Sequence, residues 1–290
     1  MQYQITHKTT YDYAESAATS HNQVHLKIRE IPTQNCSRRE VFVEPMPEGM
    51  TDHTDYFGNT VTSFTIYEPH SRLTITSINR VMVSTIDLAQ PPASVAWDTV
   101  TQRVRTQLED DTIDASQYLY NSPYIATSPA LKAYAMPSFA PGRPLFEAVL
   151  DLTQRIKREF KYAPKATNLA TSIEEVLERR MGVCQDFAHL QIGCLRSLGL
   201  PARYVSGYLR TDPPAGKPRL VGVDASHAWL SVFAPPVGWV DFDPTNGCLT
   251  GQRHITLAWG RCYSDVSPIK GVVLGGGAHK LSVSVDVAPI

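Results

Sequence analysis

The sequence lacks the features that mark a membrane protein or a nucleic-acid-binding protein. No uninterrupted apolar run is long enough to span a bilayer, and the first residues show no basic segment followed by an apolar stretch. The 27 basic and 28 acidic residues almost cancel and form no long run of one sign. We therefore expect neither a membrane partner nor a nucleic-acid partner.

Cysteine is also scarce, and its spacing excludes two common roles. The five cysteines are an odd number, they are widely scattered, and no CxxC pair occurs. This pattern argues against a disulfide framework and predicts a reducing, cytoplasmic location. Structural zinc sites usually have closely spaced ligand pairs, and neither Cys184 with His189 nor Cys194 with His227 has that spacing. We expect no metal and no cofactor.

The chain does contain enough apolar sequence for about two domains. It has 290 residues, of which 42% are hydrophobic and 19% are charged. Short runs of β-branched and aromatic residues fill the first part, until Pro91 and Pro92 interrupt them and helix formers follow. We predict an N-terminal antiparallel β domain over residues 1–88 and a second domain over residues 89–290.

Several residues in the second domain mark the ends of helices. Ser128, which is followed by a proline, and Pro144 are each typical of a helix start. Ser172, with a glutamate three residues later, predicts a capping box. The short helix that follows is predicted to end near Met181, and Gly182 is predicted to take a positive φ in a sharp elbow.

Cys184 lies directly after that elbow, at the predicted start of a buried helix. Apolar residues recur behind it at helical spacing, and Gly199 and Pro201 are predicted to end the helix. A thiol in the first turn lies near the positive end of the helix dipole and near unpaired N–H groups, which favours the nucleophilic thiolate. Position alone does not decide its role, because buried cysteines are commonly structural.

Two later strands carry a histidine and two aspartates. The segments around His227 and Asp243 are predicted to form an antiparallel hairpin that turns near Pro235. This register places His227 opposite Asp243 and Trp229 opposite Asp241, and directly opposed residues share one face of a sheet. A hydrogen bond between His227 and Asp243 is therefore predicted. A slip by one residue would reverse the face, which leaves Asp241 as the alternative carboxylate.

Cys184, His227 and Asp243 together form a complete set of groups for acyl transfer. A thiolate attacks an acyl carbon, an imidazole takes and returns a proton, and a carboxylate holds the imidazole in the required tautomer. The backbone N–H of Cys184 is a candidate oxyanion donor. Each residue alone also has an ordinary structural explanation, so the three matter jointly.

Three separated segments resemble the signature segments of the bacterial transglutaminase-like cysteine enzymes, and they occur in the same order. They are GVCQD at 182–186, SHAW at 226–229 and GWVDFDPTN at 238–246. Segments 7–13 and 55–59 look like the β region that precedes this core in the family, and 260–268 is similar to its tail. The resemblance implies an α+β, papain-like fold, with Cys184 as nucleophile, His227 as base and Asp243 as the orienting residue.

Two positions depart from the expected pattern. A papain-type protease has an oxyanion glutamine six residues before the nucleophile, where this chain has Glu178, so the second oxyanion donor is unassigned. Cys262 stands after Arg261, where an acidic residue is expected.

The expected activity is formation of a thioester on Cys184 from an amide of a peptide or protein substrate, with release to an amine or to water. The resemblance supplies the amide, with a glutamine side chain as one candidate, whereas the triad alone supplies only acyl transfer. One alternative is a cysteine peptidase or deamidase that uses the same triad. Another is an inactive module that binds a peptide or protein. The sequence indicates no oligomeric state.

Overall fold

The computed structural model describes residues 1–85, 87–107, 109–164, 166–211 and 225–290. Its N-terminal part is an antiparallel sheet built around one long strand. The first strands are β1 (Gln2–Val24), β2 (Gln34–Glu44), β3 (Met50–Thr54), β4 (Thr60–Ile66) and β5 (His70–Val83), in the order β2-β5-β1-β4-β3. β1 pairs with β5 through its first half and with β4 through its second, so a single strand holds both halves of the sheet.

A helical segment follows the sheet and leads to the cysteine. Its elements are α1 (Trp97–Thr106), α2 (Asp110–Ser116), α3 (Pro129–Ala135), α4 (Leu145–Glu159), β6 (Lys161–Tyr162), α5 (Ile173–Arg179), β7 (Met181–Gly182) and α6 (Cys184–Ser197), with short 3₁₀ turns at Gln117–Leu119 and Met136–Ser138. The predicted helix starts are confirmed. Ser128 accepts the Leu131 N–H at 3.3 Å, Ser172 accepts the Glu175 N–H at 3.2 Å, and Pro144 directly precedes α4.

A second antiparallel sheet forms the other half of the core. Its strands are β8 (Ala202–Leu209), β9 (Ala225–Ala234), β10 (Gly238–Asp243), β11 (Cys248–Leu249) and β12 (His254–Gly260), in the order β11-β10-β9-β8-β12. α6 packs on β8 and β9 with one face and on α3, α4 and α5 with the others, and its residues from Asp186 to Arg196 are buried. The chain closes with α7 (Tyr263–Val266), β13 (Ile269–Gly275) and β14 (His279–Pro289).

The connection into α6 differs from the predicted glycine elbow. The residue with positive φ is Arg180, at φ 55°, whereas Gly182 does not have a positive φ. The predicted positive φ at Gly182 was therefore wrong. A Cβ at Gly182 would lie 2.8 Å from Oδ2 of Asp186 and 2.9 Å from its Cβ, so this position needs glycine because of a close side chain.

The last two strands belong to the N-terminal sheet. β14 pairs with the first half of β1 from Tyr3 to Tyr13, and β13 pairs with the second half. The predicted boundary near residue 88 assigned these strands to the domain 89–290, because a pairing between strands so far apart in the chain leaves no local pattern. The sheet is thus completed by residues from the far end of the sequence.

An apolar cluster joins the two sheets. Tyr3 and Ile5 of β1 and Val285 of β14 pack against Tyr208 of β8 and Ile255 of β12, and all five are at most 2% exposed. The α+β arrangement predicted from the family resemblance, a cysteine helix on an antiparallel sheet with an N-terminal β region, is confirmed. In the part of the chain that the structure describes, no helix has both the length and the hydropathy needed to cross a bilayer. The cytoplasmic location stays a prediction.

Candidate active site

Cys184 is the first residue of α6, and a carboxylate fixes where that helix begins. Asp186 accepts the N–H of Val183 at 2.8 Å and the hydroxyl of Thr167 at 2.6 Å through the same oxygen, Oδ2. The carboxylate therefore caps the helix from within its first turn. The half-buried Cys184 side chain faces a cavity of about 490 Å³, which His227 also lines.

His227 lies on β9, opposite Gly207 of β8, and only 8% of it is exposed. Its Nε2 is 2.8 Å from Oδ2 of Asp243, and the Cys184 side chain is a further hydrogen-bond partner of the ring. Because Nε2 is occupied by Asp243, Nδ1 is the ring nitrogen left for the thiol. All three residues singled out from the sequence are thus brought together.

The charge state of His227 is set by its two partners. Burial acts to lower the pKa of His227, but the hydrogen bonds with Asp243 and Cys184 and the charges of both groups offset it and raise the pKa to about 10. At neutral pH the ring is therefore an imidazolium. His227 therefore presents a positive charge to the Cys184 side chain.

Asp243 is completely buried, and its carboxylate is surrounded by donors. Oδ2 accepts from His227, from Nδ2 of Asn246 at 2.6 Å and from Nε2 of His254 at 3.1 Å. Oδ1 accepts the backbone N–H groups of Thr245 at 2.9 Å and Asn246 at 3.2 Å. Burial acts to raise the pKa of Asp243, but the hydrogen bonds from the two histidines hold it well below the ordinary value. The carboxylate therefore stays ionised.

The predicted register of the hairpin was wrong by two residues, although its face was right. β10 pairs with β9 so that Asp241 lies opposite Ser231. Continuing the same register by two residues places Asp243 opposite Trp229. A shift of two preserves the face because side chains alternate with a period of two. His227 therefore reaches Asp243 diagonally. The alternative carboxylate, Asp241, instead accepts the indole N–H of Trp229 at 2.9 Å.

His254 was missed by the sequence analysis, although it contacts the same carboxylate. Its Nδ1 accepts the N–H of Gly251 at 3.1 Å, so its proton lies on Nε2, which donates to Asp243. His254 begins β12, which is separated from β9 and β10 by β8 in the sheet. No motif surrounds it, and only the folded sheet brings it to Asp243.

The same three side chains are also the group that a metal ion could use within the described ranges. The ligating atoms of His227, Asp243 and His254 lie within 4.8 Å of one another. Two of these atoms, the Nε2 atoms, already donate to the third, Oδ2 of Asp243. A metal would have to displace both protons, so these atoms are better assigned to hydrogen bonding.

The other residues considered from the sequence have structural partners. His189 accepts the N–H of Tyr263 at 3.1 Å, and its burial lowers its pKa to about 3, so the ring is neutral. Cys194 is fully buried in the core. Arg261 does have an acidic partner, but it is Asp265, whose Oδ2 lies 3.0 Å from Nε of Arg261. Cys262, which follows Arg261 in the sequence, is the N-cap residue of α7.

Tyr204 of β8 is a second residue that the sequence analysis missed. It lines the cavity with Cys184 and is 2% exposed. Burial, and then the charge of Cys184, hold the pKa of Tyr204 well above its ordinary value. The phenol therefore stays protonated and remains a hydrogen-bond donor within the cavity.

Comparison with known families and structures agrees with this fold. Residues 132–244 match the transglutaminase-like superfamily, and residues 3–82 match the bacterial transglutaminase-like N-terminal region. A crystal structure of a protein from Cytophaga hutchinsonii, which is described there as a proposed cysteine protease, shares the fold. Its TM-score is 0.75 at 22% sequence identity, over 99% of this chain and 90% of that one.

Relatives are found over nearly the whole chain. An uncharacterized protein of Mycobacterium tuberculosis (strain ATCC 25618 / H37Rv) is 39% identical over 302 residues, covering 99% of this chain and 92% of the relative. A 101-residue stretch is 37% identical to a protein-glutamine gamma-glutamyltransferase of Pseudomonas aeruginosa, covering 33% of this chain and 15% of that protein. These matches support a cysteine-type enzyme in general. The chain belongs to the transglutaminase-like superfamily and carries the bacterial transglutaminase-like N-terminal region ahead of the core.

Proposed function

We propose that the protein is a transglutaminase-like acyltransferase that forms a thioester on Cys184 from an amide of a peptide or protein, with a glutamine side chain as the leading candidate. The observation that carries this proposal is the position of His227, which contacts both Asp243 and Cys184, the first residue of α6. This is the arrangement of nucleophile, base and orienting carboxylate that acyl transfer requires.

The reaction begins from a thiolate on Cys184 and an imidazolium on His227. The sulfur attacks the amide carbon, and an S–C bond forms. The C–N bond then breaks, and His227 gives its proton to the departing nitrogen, which leaves as ammonia. In the second half an amine attacks the thioester, His227 takes a proton from it, and the S–C bond breaks. Water in place of the amine would give the acid instead.

Two donors are suited to the oxyanion that forms in each half. The first is the backbone N–H of Cys184, at the N-terminus of α6. The second is the hydroxyl of Tyr204, which stays protonated in the same cavity. Tyr204 thus fills the role that Glu178 cannot. Tyr204→Phe should lower the rate of acylation by roughly tenfold to a hundredfold while leaving the labelling of the thiol intact.

The choice of a glutamine amide rests on relatives. The protein of Pseudomonas aeruginosa described above is named a protein-glutamine gamma-glutamyltransferase, and it aligns with only part of this chain. Membership of the transglutaminase-like superfamily supports the same substrate class. A peptidase or deamidase would use the same three residues, so the acceptor must be decided by experiment.

Alkylation by iodoacetamide tests whether Cys184 is an activated thiol. Burial raises the pKa of Cys36 and Cys248 to about 11, so neither should react quickly at neutral pH. Wild type should be labelled at Cys184 at pH 7 at least about tenfold faster than the His227→Ala variant. Asp243→Asn should also slow the reaction, whereas the matched Asp241→Asn should leave it nearly unchanged. Equal, slow labelling of wild type and His227→Ala would refute the activated thiol and favour an inactive binding module.

Incorporation of an amine separates transfer from hydrolysis. Wild type should attach a labelled primary amine to a glutamine-containing peptide, with ammonia released, and Cys184→Ala should not. Ammonia release without amine incorporation would identify a deamidase, and a cleaved peptide bond would identify a peptidase. Either result would contradict the acyltransferase proposal while retaining the cysteine site.

A further inference from the structure

The cavity at Cys184 is shared by both sheets. One wall comes from the core and carries Cys184 and His227, and the opposite wall comes from β1 and β14 of the N-terminal sheet. Among the described residues that line it, none is Asp, Glu, Lys or Arg. Apart from the reacting pair Cys184 and His227, a substrate segment that enters this cavity therefore meets no charged side chain among these residues.

The sheet wall changes character along its length. On one face of the sheet, Val285 of β14 lies opposite His7 of β1, and both are 2% exposed where they press against the core. Two residues earlier on β14, Val283 is 54% exposed, and Leu281 is 51% exposed. Since alternate residues of a strand share a face, the apolar row continues past the contact with the core and into the open cavity.

The other face of β14 provides a reference. Ser282 and Ser284 alternate with Leu281 and Val283, are exposed, and point away from the cavity. The strand is thus polar on its outer face and apolar on the face toward Cys184. At the outer end of the apolar row, Leu281 lies opposite Tyr11 of β1, which also lines the cavity. Half-exposed apolar side chains that line the same cavity as Cys184 are suited to a ligand contact.

We infer that Leu281 and Val283, with Tyr11 beside them, form a binding subsite for an apolar side chain of the polypeptide that supplies the acyl group. The inference rests on the proposed function, because the bound segment is the one that carries the reacting amide. Continuity of the cavity from Cys184 to Leu281 favours this occupant. The subsite selects peptides with an apolar residue next to the reacting residue and disfavours peptides with a charged one.

Protection of Cys184 from iodoacetamide tests this subsite without requiring turnover. Three short glutamine peptides are compared, and they differ only in the residues that flank the glutamine. These residues are leucine in one peptide, aspartate in the second and lysine in the third. The rate of Cys184 alkylation is measured at increasing peptide concentration and divided by the rate without peptide. The leucine peptide should reach half-protection at a concentration about tenfold lower than either charged peptide.

A pair of double variants on one strand provides the matched control. Leu281→Thr/Val283→Thr makes the inner face polar with β-branched residues that suit a strand, and Ser282→Thr/Ser284→Thr changes the outer face. The inner variant should lose the preference for leucine, and the outer variant should keep it. Near-native circular dichroism of both variants shows that the strand is retained.

The result that would overturn the inference is distinct from the one that would overturn the proposed function. Equal protection by all three peptides, no protection by any of them, or a leucine preference that survives in the inner variant would refute the subsite. None of these results depends on whether labelling requires His227. Labelling that is independent of His227 would refute the activated thiol alone.

Discussion

At the residue scale, one carboxylate oxygen organises the candidate site. Oδ2 of Asp243 accepts from His227, His254 and Asn246, so each donor limits where the others can lie. Asp243 is not exposed to solvent, so a water molecule from the bulk cannot replace a hydrogen-bond donor that is lost. Substitution of one donor therefore acts on Asp243 and, through it, on His227.

The His254→Phe variant should be less stable than wild type by about 1.5–3 kcal/mol, because it removes one hydrogen bond to a buried charge. His254→Gln retains an N–H donor and should lose less. Urea denaturation at neutral pH measures both free energies of unfolding. Equal stability of His254→Phe and wild type would show that His254 does not support Asp243.

The pair of His227 and Asp243 should make stability depend on pH in a defined window. Folding raises the pKa of His227 from 6.5 to about 10, so its contribution is complete below pH 6.5 and is lost as pH rises through about 10. Folding lowers the pKa of Asp243 from 3.8, so its contribution is present above pH 3.8 and is lost as pH falls further.

The difference in unfolding free energy between wild type and Asp243→Asn reports this contribution. It should be largest between about pH 4 and 6.5 and should decrease steadily toward pH 10. Urea titrations at several pH values measure it. A difference that is constant, or that grows from pH 6.5 to pH 10, would contradict the assigned protonation of His227.

Most of the residue-level site could be predicted from the sequence, because the three signature segments are local. Cys184, His227 and Asp243 are each surrounded by residues that resemble the family pattern. His254 and Tyr204 have no such surroundings. They reach the site because β8 and β12 occupy particular places in the sheet, which no short pattern specifies.

At the scale of the elements, close packing between strands fixes the position of His227. Gly207 of β8 lies opposite His227, and a Cβ there would be 2.3 Å from both the carbonyl oxygen of Ile255 and the ring of Trp229. Glycine at this position therefore leaves room for the indole of Trp229 to pack directly against the backbone of β8. The same indole donates to Asp241 and so holds β9 to β10.

The Gly207→Ala variant should be destabilised by about 1–3 kcal/mol and should label more slowly at Cys184, because Trp229 and β9 must shift. Gly49→Ala is the matched control, since a Cβ there has no neighbour within 4 Å, and it should stay within about 0.5 kcal/mol of wild type. Denaturation and alkylation rates measure both effects. A stable, fully reactive Gly207→Ala variant would show that this packing does not position His227.

Element types were predictable here, but the register was not. The apolar and turn residues located α6, β8, β9 and β10 correctly, because each has a local period and local end signals. The turn of the hairpin was placed near Pro235, whereas Ala234 actually pairs with Gly238. That difference moved each pairing by two residues without changing the face.

At the scale of the whole molecule, the first and last strands, β1 and β14, meet beside the candidate site. β1 and β14 pair along Tyr3 to Tyr13, and together they cover the core through Val285 and Ile5. The N-terminal sheet is therefore both a structural neighbour of the core and a wall of the cavity. Its folding and the folding of the core should be coupled.

The Val285→Ala variant tests that coupling. It should lower the free energy of unfolding by about 2 kcal/mol, because Val285 is buried between the sheets. Val272→Ala, on the neighbouring β13 and 63% exposed, should change it by less than about 0.5 kcal/mol. Circular dichroism and Cys184 alkylation should report one shared transition in both variants. Separate transitions would show that the sheet and the core unfold independently.

The covalent intermediate is the most direct test of the account. Wild-type protein mixed rapidly with a glutamine peptide and quenched in acid should carry an adduct on Cys184 with the mass of the peptide minus ammonia. Hydroxylamine should remove the adduct, as expected for a thioester, and His227→Ala should accumulate far less of it. An adduct on another cysteine, or none under conditions in which the peptide is consumed, would contradict the assignment of Cys184 as the nucleophile.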